Sequence, residues 1–220
     1  MQLVIFDLDN TLLAGDSDYQ WGQYLIEIGL LNGDEHTAKN EQFYADYKMG
    51  ALDIYAFLEF QLKPLSQHPR KKLDEWHQQY MVEKVLPMIT DKARALVEEH
   101  RSKGDLLLII TATNSFVTRP IAKEFGIDYL IGTTPEEING EFTGRVSGTP
   151  SYQEGKITRL NEWLASRGQT VADFDATWFY SDSHNDLPLM KLVDKPVAVN
   201  PDPILASYAA AHGWPQIDLR

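Results

Sequence analysis

Near its start the chain carries Asp7 and Asp9 two positions apart, followed by Asn10 and Thr11. Two carboxylates at that spacing reach one small volume if the backbone turns there. Crowded negative charges are costly to hold together unless a cation neutralises them, and hard oxygen donors in a tight site suit Mg²⁺. One carboxylate can then ligate the metal and attack an electrophile, while the other exchanges protons. A plain polar turn capping the next element is the competing account of Asp9-Asn10-Thr11.

Three later clusters could join this pair. Thr111-Ala112-Thr113 follows the apolar run LLLII. A hydroxyl and consecutive backbone N–H groups at a strand end make a cradle for phosphate oxygens; alternatively, Thr111 ends the strand and Thr113 or Ser115 caps the next helix. Lys156 follows Gly155 near a predicted helix start, where the helix dipole disfavours a cation, so it wants an anion nearby. Taken alone it reads as an ordinary surface lysine. The third cluster, Tyr180-Ser181-Asp182-Ser183-His184-Asn185-Asp186, follows TWFY. Asp182 could complete a metal site with Asp7. Asp186 could orient Lys156 or a metal-bound water from behind, or cap the helix opening at Leu187. His184 reads as an exposed loop residue.

The elements that must hold these groups follow from hydrophobic patterning. Leu3–Phe6 and Leu106–Ile110 are continuous apolar runs, as expected for buried parallel strands. Ile127–Ile131, Thr177–Tyr180 and Pro196–Val199 read as further strands. Asn139-Gly140 signals a hairpin. Helices are predicted from Thr90 to His100, Ser115 to Glu124, Gln153 to Ser166, Leu187 to Leu192 and Ile204 to Ala211. From residue 90 onward strand and helix alternate, so the first strand joins a doubly wound, mostly parallel α/β core. Open sheets of this kind place ligands beyond the strands' carboxyl ends, where all four clusters fall.

Residues 17–83 carry a different pattern, helical throughout. Tyr19, Trp21, Tyr24, Leu25 and Ile28 recur at helical spacing, Asp34 and Asp53 are candidate caps, and Pro69 suits a first helical position, ahead of buried Leu73, Trp76, Tyr80 and Met81. The expected division is a core of residues 1–14 and 88–220 with a helical cap of residues 15–87. Hinges are expected near 14–17 and 85–88.

FDLDNTL, LIITAT, Lys156 and YSDSHNDLPLM, in this order, resemble the haloacid dehalogenase superfamily. The helical insertion after the first motif resembles its phosphoserine-phosphatase-like subgroup. The resemblance spans essentially the whole chain and implies a Rossmann-like core, a helical cap and a phosphatase acting through an aspartyl-phosphate. It makes Asp7 the nucleophile and Asp9 the acid and base. Mg²⁺ is held by Asp7, the Asp9 backbone carbonyl and Asp182. Thr111, Ala112 and Lys156 hold the phosphoryl group, with Asn185 and Asp186 supporting from behind. A phospho-accepting receiver module also combines acids, a hydroxyl, a lysine and Mg²⁺, but its acceptor follows a later strand and it has no large helical insertion.

In the same subgroup, phosphoserine phosphatases hold the substrate amine with a cap glutamate and its carboxylate with an arginine. Asp16 falls where the glutamate belongs. The arginine position falls near 59–61, where no basic residue stands; Arg70 is the only cap arginine. A desolvated carboxylate without a cation is poorly bound. Asp16, Asp18 and Glu59 instead suit a leaving group with an amine and no carboxylate. L-Histidinol phosphate fits that description, and Tyr19, Trp21 or Tyr24 could stack on its imidazole. Phosphoserine, or another small phosphorylated metabolite, is the alternative.

Composition narrows the classes. With 20 basic and 32 acidic residues the formal charge is −12, which disfavours nucleic acid and anionic membrane surfaces. A phosphate site in such a protein needs its own local cations. There is no cysteine, so thiolate catalysis and disulfides are excluded. The first residues lack a signal-peptide pattern and no apolar run spans a bilayer, so a cytoplasmic location is expected.

Overall fold

The computed structural model describes residues 1–220. The first apolar run forms β1 (Leu3–Phe6), buried on both faces. Its side chains alternate between two apolar layers, with Leu3 and Ile5 in one and Val4 and Phe6 in the other. The pleat alone produces this division.

Four helices follow: α1 (Ser17–Glu27), α2 (Gly33–Lys48), α3 (Ile54–Ser66) and α4 (Arg70–Tyr80). Asp53 caps α3 as expected, accepting from the N–H groups of Tyr55 and Ala56. The cap of α2 is Asn32 rather than Asp34. Asp34 lies in the first turn, where its charge still favours the helix dipole. Pro69 sits at the cap of α4, one position before the expected one. Trp21, Tyr24, Leu25, Leu73 and Tyr80 are buried, but Tyr19 and Ile28 are exposed and Trp76 and Met81 only half-buried.

The chain then alternates: α5 (Asp91–Ser102), β2 (Leu106–Asn114), α6 (Ser115–Glu124), β3 (Tyr129–Ile138), β4 (Glu141–Ser147), α7 (Glu154–Ser166), β5 (Thr177–Ser181), α8 (Leu187–Met190), β6 (Lys195–Val199), α9 (Pro203–His212) and β7 (Gln216–Ile217). Thr90 caps α5 as expected. The seven strands lie in the order β4-β3-β2-β1-β5-β6-β7. All pairs are parallel except the β3–β4 hairpin, which turns at Asn139-Gly140 with both residues at positive φ.

Three strands differ from the sequence reading by two residues or more. β2 runs four residues past Ile110, carrying Thr111–Asn114 within the strand across a break in register. β3 starts two residues late and extends to Ile138 because the hairpin pairs its far half. The short β7 was not anticipated; two residues are too few for a periodic signal.

The connections from the sheet to the four helices lie side by side. Leu13 pairs antiparallel with Ile89, and the Ala14 N–H donates to the Met88 carbonyl at 2.8 Å. At the other side, α3 packs on β4, where a Cβ on Gly144 would lie 2.9 Å from Ser66 Oγ. Arg70 reaches Glu137 at 3.1 Å and lies over the Phe142 ring. No helix is long and apolar enough to cross a membrane.

Candidate active site

Because β1 is central, with β2 on one side and β5 on the other, the carboxyl ends of all three strands open on one spot. Beyond β1 the chain makes one wide turn over Leu8–Leu12, interrupted at Asp9 and at Asn10, whose φ is 58°. The turn brings Thr11 back beneath the strand end. Its Oγ1 lies 3.3 Å from Asp7 Oδ2 and 3.0 Å from Asp182 Oδ1. Asp7 and Asp182 therefore converge from β1 and β5, 175 residues apart in sequence.

Lys156 is buried rather than a surface residue. Its Nζ is 2.8 Å from Asp7 Oδ1 and 2.7 Å from Asp186 Oδ1. It rides on the first turn of α7, and the chain reaches it through two constrained positions. Gln153 has a φ of 47°, and a Cβ on Gly155 would lie 2.1 Å from the Pro150 carbonyl oxygen. Only glycine lets the backbone approach that closely. Asp186 sits at the start of α8, yet its carboxylate makes no capping bond. It accepts from Lys156 and, at 2.6 Å, from Ser181 Oγ.

Asp9 turns its side chain away from Asp7 and toward the helices. Its Oδ1 accepts from the Ser17 N–H at 2.6 Å, and its Oδ2 accepts from Thr113 Oγ1 at 2.8 Å and Thr111 Oγ1 at 3.4 Å. Thr113 therefore holds Asp9; the cap of α6 is Asn114, which accepts from the Val117 N–H. His184 is mostly buried and not an exposed loop residue, with Nδ1 2.8 Å from Asp202 Oδ2.

Charge in this region is strongly unbalanced. Burial pushes the Asp7 carboxyl up to about 7; Lys156 opposes the shift, and the charges of Asp186 and Asp9 add to it. Burial, then Asp16, raises Asp9 to about 6 against the bonds from Ser17 and Thr113. Asp182 is held well above the usual range by burial and by Asp7 and Asp186. Burial works against the Lys156 ammonium, but Asp186 and Asp7 more than offset it and hold its pKa above the ordinary value.

A cavity of about 410 Å³ opens over these groups, roofed by α1, α2 and α3. Its wall includes Asp7, Asp9, Asp16, Asp18, Thr111, Ala112, Lys156, Asn185 and Asp186, so these nine expected site residues share one space. Asp182 reaches it only through Thr11 and Asp7. Asp16 caps α1 by accepting from the Tyr19 N–H, and Asp18 is buried two residues on. Both are raised, chiefly by burial.

Glu59 departs from expectation: it is exposed and lies outside this wall, whereas Gln61, on the other side of α3, is buried in it. Trp21 and Tyr24 belong to the apolar core. The aromatic wall comes instead from Tyr19, Phe43, Tyr44, Tyr47, Phe57 and Tyr152. Tyr47 also clasps the sheet: its hydroxyl donates to Ser183 Oγ at 2.8 Å and its carbonyl accepts from Asn185 Nδ2 at 3.0 Å. The spacing of Phe43 and Tyr47 on one helix face was the available signal for this wall.

The donor set fits Mg²⁺. Asp7 and Asp182 both approach Thr11 Oγ1 with hard oxygens; burial first, and neighbouring acids after it, raise both carboxyls, and a divalent cation would favour their charged forms. No group of three or more acidic or histidine side chains forms a metal cage.

Acids at the ends of two central strands, with a buried lysine bridging Asp7 and Asp186, lie beneath a helical roof. A sequence model of the haloacid dehalogenase-like hydrolases matches residues 4–191. The chain belongs to that family, and within it is a phosphoric monoester hydrolase. It is 50% identical, over 99% of both chains, to a protein named histidinol-phosphatase from Neisseria meningitidis serogroup C (strain 8013). A crystal structure of a protein of unknown function from Bordetella pertussis Tohama I superposes with a TM-score of 0.94 at 44% identity, covering 100% of this chain and 99% of that one. A phosphoserine phosphatase, solved as an analogue of its phospho-aspartyl intermediate, shares the fold at a TM-score of 0.69 and 18% identity, covering 99% and 93%.

Proposed function

We propose that this phosphatase hydrolyses L-histidinol phosphate in a Mg²⁺-dependent reaction through a phospho-aspartate on Asp7. One observation carries the substrate assignment. Lys156 is the only cationic residue in the cavity wall, and it already spans Asp7 and Asp186. The rest of the wall offers the carboxyl groups of Asp9, Asp16, Asp18 and Glu41. A leaving group bearing an ammonium and no carboxylate meets partners there. The carboxylate of phosphoserine would meet acids and the neutral Gln61. Arg70 does not relieve this, since it is engaged with Glu137, Asp74 and the Phe142 ring outside the cavity. The name of the Neisseria relative points the same way.

In the reaction, an Asp7 oxygen attacks phosphorus as the ester P–O bond breaks. The Asp9 carboxyl gives its proton to the departing alkoxide, and its carboxylate then takes one from the water that attacks the phospho-aspartate. Its pKa of about 6 suits both directions near neutral pH. Lys156 has three donors, shared among Asp7 Oδ1 and the two Asp186 oxygens; giving up one of the two bonds to Asp186 would turn an N–H to a phosphoryl oxygen. The Thr111 hydroxyl, only weakly engaged with Asp9, and the Ala112 N–H complete the cradle. Asp7, Asp182 and the Asp9 carbonyl would hold Mg²⁺, which supplies charge neutralisation at the phosphoryl oxygens.

Hydrolysis of histidinol phosphate, phosphoserine and a set of sugar phosphates, measured side by side, tests this. The expected result is the highest kcat/KM for histidinol phosphate; a strong preference for phosphoserine would defeat the missing-cation argument.

A further inference from the structure

Two polar side chains in the cavity wall have no task in the chemistry above. Asn40 on α2 is 6% exposed and Gln61 on α3 is 5% exposed. Both line the cavity, and neither side-chain amide is paired within the protein; their polar atoms stay open to the cavity and are not among the fully buried atoms left without a partner. Two amides held on nine-tenths buried residues, with donor and acceptor free toward one cavity, offer a ligand hydrogen bonds that nothing in the protein claims.

Their surroundings say what shape that ligand has. Asn40 lies one turn before Phe43, and Gln61 one turn after Phe57. On a helix these spacings place neighbours on one face. Phe43 and Phe57 touch across the two helices, edge to face, with ring centroids 5.4 Å apart. The amides thus flank an aromatic pair, and all four line the same cavity. An aromatic wall takes a flat ring. An amide offers both a donor and an acceptor, and is complementary to a ring edge with one N–H and one bare nitrogen. Asp16 and Asp18 are acceptors only, and so suit the ammonium.

We propose that Asn40 and Gln61 form a specificity site for a neutral, nitrogen-containing five-membered aromatic ring on the leaving alcohol, separate from the acidic site for its amine. This rests on the substrate reading above and divides the leaving group between two sets of residues.

The test compares two substrates in wild type, Asn40→Leu and Gln61→Met. Histidinol phosphate carries amine and ring; O-phosphoethanolamine carries the amine alone. The quantity read is the ratio of their kcat/KM values. Each substitution is expected to lower that ratio about 5- to 100-fold, mainly through KM for histidinol phosphate. Thermal unfolding checks each variant, and Asn40→Asp and Gln61→Glu, of equal size, replace any that unfolds early. A wild-type preference for histidinol phosphate that persists within twofold in all folded variants overturns this inference and leaves the proposed substrate standing. A wild type that hydrolyses phosphoethanolamine at least as well as histidinol phosphate overturns both.

Discussion

The burial of Asp7 makes a prediction that needs no substrate. Its carboxyl moves from 3.8 to about 7 on folding, so the folded state binds this proton more tightly than the unfolded chain does. The contribution is therefore most favourable below about pH 4 and is lost as pH rises to about 7. For that shift the loss between pH 5 and pH 7.5 is about 2.5 kcal/mol, or roughly 5–10 °C in unfolding midpoint for a domain of this size. Asp7→Asn removes the titration. In chelator-treated protein, Asp7→Asn is expected to gain stability over wild type across that window, while losing turnover of a generic aryl phosphate. His36 and His77, both lowered by burial, act in the opposite sense, but they do so in both proteins and cancel in the difference. Added Mg²⁺ should close the gap at pH 7.5, by about 2.7 kcal/mol at a hundredfold excess over its Kd. Thermal scans of both proteins at the two pH values read this directly. A gap that stays flat, or that widens on adding Mg²⁺, would refute the account of the buried Asp7 carboxyl, and wild-type turnover in Asp7→Asn would refute the nucleophile.

Three further substitutions probe the supports. Lys156→Met leaves Asp7 and Asp186 facing each other without a cation; a loss of about 3–5 kcal/mol and a fall in kcat of at least about 100-fold are expected from denaturant titration and steady-state kinetics. Gly155→Ala puts a methyl against the Pro150 carbonyl, so the first turn of α7 must shift; about 1–3 kcal/mol of stability and roughly 100-fold in kcat should go with it. Tyr47→Phe deletes the clasp to Ser183 and should change kcat and KM together, with an unfolding midpoint near that of wild type.

Much of this could be read from the residues alone, where a local signal had no competitor. β1 ends where its apolar run ends, Thr90 and Asp53 cap the helices they precede, and Asn139-Gly140 makes the hairpin. The acids and Lys156 were legible as a set because each follows a strand or opens a helix. Other features depend on packing between distant segments. An apolar run stops counting at Thr111, yet β2 continues because β3 still pairs with it at Asn114. The role of Thr113 depends on where Asp9 points, and the turn at Asn10 decides that. Helical spacing marks Trp21, Tyr24, Phe43 and Tyr47 alike; only the docking of the four helices separates the first two, which fill the core, from the last two, which face the cavity. Lys156 has the composition of a surface residue, and its burial follows from the close approach at Gly155.

The pairing of Leu13 with Ile89 bears on how such a chain can diversify. Both ends of the four-helix stretch leave and rejoin the sheet at one place, so that stretch can lengthen, shrink or be exchanged without slipping any strand out of register. Asp7, Asp186 and Lys156 stay where β1, β5 and α7 put them, and a new roof has only to return one N–H to Asp9 where Ser17 now gives it. A new preference among phosphate esters then needs changes only in the exchanged stretch, and the bond-breaking apparatus is inherited intact.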